Sequence, residues 1–195
     1  MFTQELESAK KNYGVGGGGD NYFKMKRGKN RIRILAGGKA IASHYVNEKN
    51  ITCVGIENGC PYHGENAPRD KEGNPLKPRV RFLFYVLDKN KEGASIELAF
   101  LPFIVMREIN TFAENEDYCF DFLPMPYDIN ITYDPDEAPA KMYNILPSPK
   151  RDEVDKGILE ELKKKTPVEE IIEKIKDKIE YPQEEIKREI TIDDL

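Results

Sequence analysis

His44-Tyr-Val-Asn-Glu-Lys-Asn-Ile-Thr-Cys53-Val-Gly-Ile-Glu-Asn-Gly-Cys60-Pro-Tyr-His63 contains both histidines and two of the three cysteines of a 195-residue chain. The spacing is H-x8-C-x6-C-x2-H, and its last pair forms a knuckle short enough to aim two ligands at one ion. Two thiolates with two imidazoles suit tetrahedral Zn2+ and disfavour Mg2+ and Ca2+, which prefer oxygen. Four protein ligands at His44, Cys53, Cys60 and His63 leave no open position for water. One structural zinc ion is therefore expected, not a catalytic one. The stretch carries Asn47, Asn50, Asn58, Gly59 and Gly64 around no continuous apolar run. Metal binding is expected to supply its folding energy, on the order of 10 kcal/mol in comparable small sites.

Upstream, Ile32 and Ile34 alternate with Arg31 and Arg33, a strand pattern with one core face and one face presenting guanidiniums. Tyr22 to Arg27 precedes it as a strand divided off at Gly28, and Gly37-Gly38 is read as a turn into Ala40 to Tyr45. Downstream, Arg79 to Leu87 alternates strongly and returns through the D-K-N-K-E-G turn into Ser95 to Leu101. Pro102 fits the first turn of a helix carrying Val105, Ile109 and Phe112. Ile129 to Tyr133 and Lys141 to Leu146 read as two closing strands. Three strands, a helix and two strands make the chain mainly β, an OB-fold barrel with an inserted zinc-binding subdomain.

The chain then divides into an arm and Gly-rich connector over 1–20, a barrel over 21–147 with the zinc insertion at 44–63, and an acidic helical region over 148–195. In the last region, Val154, Ile158, Leu159 and Leu162 mark one amphipathic helix. Thr166-Pro167 with Glu169 caps a second, with Val168, Ile171, Ile172, Ile175 and Ile179 on its stripe. Packing of both helices within the molecule is expected. Cys119 is expected to be a reduced core residue.

Net charge is −5, but the charge is unevenly distributed. Residues 21–90 hold 14 Lys and Arg against 6 Asp and Glu, a balance of +8, which leaves −13 for the rest. A basic body with an acidic remainder points to a polyanion partner. No apolar run is long enough to span a bilayer, and the start Met-Phe-Thr-Gln-Glu-Leu-Glu has no secretion-signal pattern, so a cytoplasmic protein without membrane contact is expected. Enzyme signatures are incomplete: His63-Gly64-Glu65 fits the His-x-Glu of a zinc deaminase, but its Pro-Cys-x-x-Cys does not occur, and no histidine lies outside the cluster.

Lys24-Met25-Lys26, Asn30-Arg31-Ile32-Arg33-Ile34-Leu35, His44, Cys53 and Cys60-Pro61-Tyr62-His63 together resemble the single-stranded-DNA-binding, helix-destabilising proteins of T-even and related phages. The resemblance covers roughly residues 21–147. It implies an OB barrel whose zinc lobe and strand pair form a basic, aromatic-lined cleft. It also implies roles in DNA replication, recombination and repair in the cytoplasm of a bacterial host, self-association along the strand, and contacts with replication or recombination proteins through the C-terminal region. The last ligand is His63 where the family usually has cysteine. The family's basic motif near the amino terminus is not recognisable.

A sequence-tolerant binder of single strands needs cations for phosphates and aromatic faces for bases. The phosphate candidates are Lys24, Lys26, Arg27, Arg31, Arg33, Arg79 and Arg81. The stacking candidates are Tyr45, Tyr62 and Tyr85, while Phe82 and Phe84 are assigned to the core. The acidic region is expected to compete for the basic cleft when no DNA is present. The alternative reading is a zinc-stapled OB-fold module that binds protein or RNA and has no DNA role.

Overall fold

The first half of the chain is dominated by one 19-residue strand, β1 (Gly28–Val46), in the computed structural model, which describes residues 22–47, 49–177, 179 and 181. After it come β2 (Lys49–Cys53), β3 (Arg79–Asp88), β4 (Ser95–Pro102), α1 (Phe103–Ala113), β5 (Tyr127–Tyr133), β6 (Tyr143–Arg151), α2 (Lys156–Lys163) and α3 (Val168–Asp177). The strands form one six-stranded sheet in the order β4-β3-β1-β5-β6, with β2 paired to β1. β1 pairs antiparallel with β2 and β5, β3 with β4, and β5 with β6. The chain is thus mainly β, as its alternation implies. The arm and Gly-rich connector expected over 1–20 lie outside the described residues.

Gly37 and Gly38 do not turn the chain. Both have φ of +110° inside β1, and a Cβ on Gly37 would stand 2.6 Å from the Leu83 carbonyl oxygen and 2.9 Å from the Phe84 Cα. Gly37 lets the β1 backbone press against β3, a close approach that any side chain would block. Tyr22 to Arg27 is likewise not a regular strand. It makes a single parallel bridge from Tyr22 to Leu98, with the Phe23 N–H donating to the Leu98 carbonyl. β6 runs on through Pro147 and Pro149 to Arg151, past the end expected for it, because it is the last strand in the order, where a missing N–H costs no ladder bond.

Two compact units divide the chain, one comprising 22–41 with 80–172, the other 42–79 with the residues after 172. In the first unit the sheet is buried on both faces. One face carries Ile32, Ile34, Phe84, Val86, Leu101, Ile129 and Ile131 against Val105 and Ile109 of α1. The other carries Leu35, Leu83, Tyr85, Leu87, Ile96 and Leu98 against Val168 and Ile172 of α3. Residues 148–172, the first part of the region read as acidic and helical, fall in this unit, and Val154, Ile158, Leu162 and Ile171 of their apolar stripes pack against its second core. Cys119 is exposed rather than buried, its thiol facing the Glu116 carbonyl. Among the described residues no helix is long and apolar enough to cross a membrane.

A buried ion network ties β1 to β5. Asp128, fully buried, accepts from Arg33 Nε at 2.6 Å and Arg31 Nε at 2.7 Å, and pairs with Lys89 at 3.1 Å. Burial alone would raise its pKa, but the hydrogen bonds from Lys89 and Arg33 outweigh that and hold the carboxyl below its usual range. Asp128→Asn should destabilise the fold by about 3 kcal/mol in urea unfolding at neutral pH, because it leaves the buried Arg33 guanidinium with only the Asp152 carboxylate, 3.5 Å away, to balance its charge. A depressed folded pKa contributes stability above the unfolded value of about 3.9 and loses it as pH falls through the folded value. The gap between wild type and variant should therefore shrink as the medium is acidified below pH ~4, and a gap that is small at neutral pH would contradict the network's role.

Candidate metal centre

β2 returns along the end of β1 as a hairpin. His44 pairs with Ile51 and Ala42 with Cys53. Side chains at alternate positions and at opposed positions share a face, so this register puts His44 and Cys53 diagonally on one side. Asn47, at φ +48°, supplies the left-handed residue that the tight turn between Val46 and Lys49 requires. The hairpin was not foreseen, although Val46, Asn47, Ile51 and Thr52 carry its signal: β-branched residues flanking an asparagine turn.

Beyond Cys53 the chain coils through a 3-10 turn at Ile56–Asn58, with Gly55 at φ +96°. The Cys60 N–H donates to the Gly55 carbonyl at 3.1 Å and closes the loop. This returns Cys60 and His63 to the hairpin face. Ligand atoms of His44, Cys53, Cys60 and His63 all lie within 4.8 Å of one another, and the first three residues are buried. Cys53 Sγ is 3.1 Å from His63 Nε2, and the imidazoles of His44 and His63 meet edge to face with centroids 4.8 Å apart. The four residues the spacing singled out form one cluster that could hold a metal ion.

Two features of the cluster call for a cation. Both ring nitrogens of His44 are buried without a hydrogen-bond partner among the described residues, and an unsatisfied buried polar group costs about 1–3 kcal/mol. Burial, and then the charge of His63, lower the His44 pKa, which keeps the ring in the neutral form that ligates. Burial pushes the Cys53 thiol up; a backbone hydrogen bond from Gly55 offsets part of this, and the adjoining Cys60 raises it again. A divalent ion would reverse that balance and hold both sulfurs as thiolates.

No family model, curated protein or solved structure matches the chain.

The residues assigned to nucleic acid are placed less uniformly than the metal ligands. Lys24, Lys26, Arg79 and Arg81 are exposed. Tyr45, next to the ligand His44, is 43% exposed, and the Arg79 guanidinium lies 5.3 Å from its ring centroid. Arg27 is exposed but bonded to Asp134 and Asp136. Arg31 is half exposed and held by Asp128. Arg33 is only 2% exposed and lies inside the ion network, so it presents no guanidinium at the surface.

Tyr62 is buried among Cys53 and Cys60, and its ring packs the metal cluster. Tyr85 is buried under α3 and donates its hydroxyl to the Thr166 carbonyl at 2.8 Å. Neither ring offers a platform for a base. Alternation along a strand locates one face but does not say whether the second is covered, and here apolar Leu83 and Leu87 flank Tyr85 under the helix.

Stripping the ion with a strong chelator should raise amide hydrogen exchange across residues 44–63 while leaving β3 and β4 protected. Unchanged exchange in 44–63 would mean that the cluster does not order this segment.

Proposed function

We propose that the chain is a sequence-nonspecific single-stranded-DNA-binding protein that coats and protects melted strands during phage DNA replication, recombination and repair, around a lobe stapled by one zinc ion. The observation that carries this reading is the pair of Tyr45 and Arg79 beside the metal cluster: a half-exposed ring and a guanidinium, in contact, offering a stacking face and a phosphate donor at one place. Bases of a single strand need the first and its backbone the second, whereas a duplex hides its base faces. In the first unit, Lys24, Lys26 and Arg81 are exposed cations of their own. In the first unit, Tyr133 and Tyr143 stack at 5.2 Å between β5 and β6.

Zinc is the ion proposed because the donors are two sulfurs and two imidazole nitrogens. Around a tetrahedral ion with bonds of about 2.0–2.3 Å, such atoms stand roughly 3.3–3.8 Å apart. The OB reading draws support from the strand order. In β4-β3-β1-β5-β6, joining the two end strands would close a five-stranded barrel, and α1, which follows β4, packs against both β4 and β6. A close-approach glycine such as Gly37 within a long strand fits a barrel corner, where strands bend tightly.

A second reading, a zinc-stapled interaction module, is favoured by one feature. An apolar groove of about 500 Å³ is lined by Leu35, Leu123, Leu159 and Leu162, beside the 84% exposed Phe122.

A fluorescence-anisotropy titration of oligo-dT, with duplex DNA and oligo-U as competitors, separates these readings. If Lys24, Lys26, Arg79 and Arg81 each engage a phosphate, the log-log salt slope should be about −2.8, at roughly −0.7 per contact. Tyr45→Ala should lose about 1–3 kcal/mol of affinity. Tyr85→Ala should weaken folding and leave the affinity of the folded fraction unchanged. Negligible binding at low salt would overturn the DNA reading in favour of the interaction module, and preference for oligo-U would move it to RNA.

A further inference from the structure

Asn30, in β1, is only 2% exposed, and its side-chain hydrogen bonds all go to backbone groups. Its Oδ1 accepts from the Lys26 N–H at 2.8 Å, while its Nδ2 donates to the Lys26 carbonyl at 2.7 Å and the Gly28 carbonyl at 3.0 Å. A third carbonyl, that of Ile131 opposite it on β5, is farther away at 3.3 Å. An amide nitrogen has two protons to give, and the two nearer carbonyls take them. The reverse placement of oxygen and nitrogen would set an NH2 group against the Lys26 N–H, so these partners fix the orientation of the amide.

On the reading of the chain as a binder of single-stranded DNA, we infer that Asn30 is the positioning residue for two of its phosphate contacts, Lys24 and Lys26. Residues 23–27 belong to no strand, so the Lys26 peptide groups have no ladder partner. The Asn30 amide takes that partner's place, bonding both the N–H and the carbonyl of one residue. Upstream, the Phe23 N–H donates to the Leu98 carbonyl at 3.0 Å, and Phe23 and Met25 pack against the first core. Lys24 and Lys26, the alternate residues, are exposed. Neither ammonium has a salt-bridge partner among the described residues, whereas Arg27 is held by Asp134 and Asp136. Asn30 therefore fixes the backbone that carries two uncommitted cations. Without it the segment would have to be ordered as the strand binds, and that ordering costs affinity.

Oligo-dT binding by the full chain across a range of salt concentrations tests the assignment. The variants are Asn30→Ala, the pair Lys24→Ala with Lys26→Ala, and all three substitutions together, each checked for a wild-type far-UV circular dichroism spectrum. Loss of both lysines should flatten the log-log salt slope by about 1.4, at roughly 0.7 per phosphate. Asn30→Ala, with both lysines present, should flatten it by about 0.7–1.4. The triple variant should be no flatter than the lysine pair, because the two effects act through the same contacts. Asn30→Leu, which keeps the bulk and adds no charge, should behave as Asn30→Ala does. If Asn30 serves folding alone, its variants will melt at lower temperature while the salt slope and the effect of the lysine pair stay as in wild type. That result would overturn the positioning role and leave DNA binding standing, as would failure of both Asn30 variants to fold or a lysine pair whose loss leaves the slope unchanged. Wild type that does not bind oligo-dT at low salt would sink the DNA reading itself, and this inference with it.

Discussion

Four donor atoms drawn within 4.8 Å of one another, with both nitrogens of a buried imidazole unsatisfied among the described residues, make a constraint that a bound cation would meet. Neutral thiols and an unpartnered His44 would each cost free energy in that interior, and two thiolates would repel. One cation would resolve both conflicts at once. The local backbone follows from this requirement: the hairpin register places His44 and Cys53 on one face, and the coil through Gly55 to Cys60 brings the second pair back. Among the described residues the surrounding apolar cluster is small, with Cys53, Cys60 and Tyr62 buried at its centre, and hydrophobic burial alone is a weak account of its order.

The sheet of the other unit is stabilised differently. It has apolar layers on both faces and, between β1 and β5, a buried carboxylate with cations around it. A network of this kind contributes less net stability than its Coulomb attraction suggests, because each charge has given up its water. Its sharper consequence is for function. Arg33 and, in part, Arg31 are committed to Asp128, and Arg27 to Asp134 and Asp136, so the basic excess of residues 21–90 overstates the cations that face solvent. What stays exposed is a smaller set, with Arg79 against Tyr45 at its most distinctive point.

Much of this was legible in the sequence, for physical reasons that can be stated residue by residue. Histidine and cysteine are scarce in the chain, so their clustering in 20 positions stood out against any composition-based expectation, and a ligand set is defined by residue type and spacing. Strand alternation likewise marked Ile32, Ile34, Phe84 and Val86 as core. Long-range partners were not legible. Nothing near Arg33 in the chain announces Asp128, and nothing near Tyr85 announces the helix that covers it. Gly37-Gly38 is ambiguous for a related reason: the same dipeptide serves a turn or a close backbone approach, and only β3 decides between them. The length of β6 was missed because prolines read as terminators unless the strand is known to lie at the end of the sheet order.

The account rests most directly on the ion. Elemental analysis combined with native mass spectrometry, on protein purified without a metal-affinity tag, should find one zinc per chain, lost in the His44→Ala and Cys60→Ala variants. Protein that is fully folded and carries far less than one equivalent of any metal would contradict the central claim.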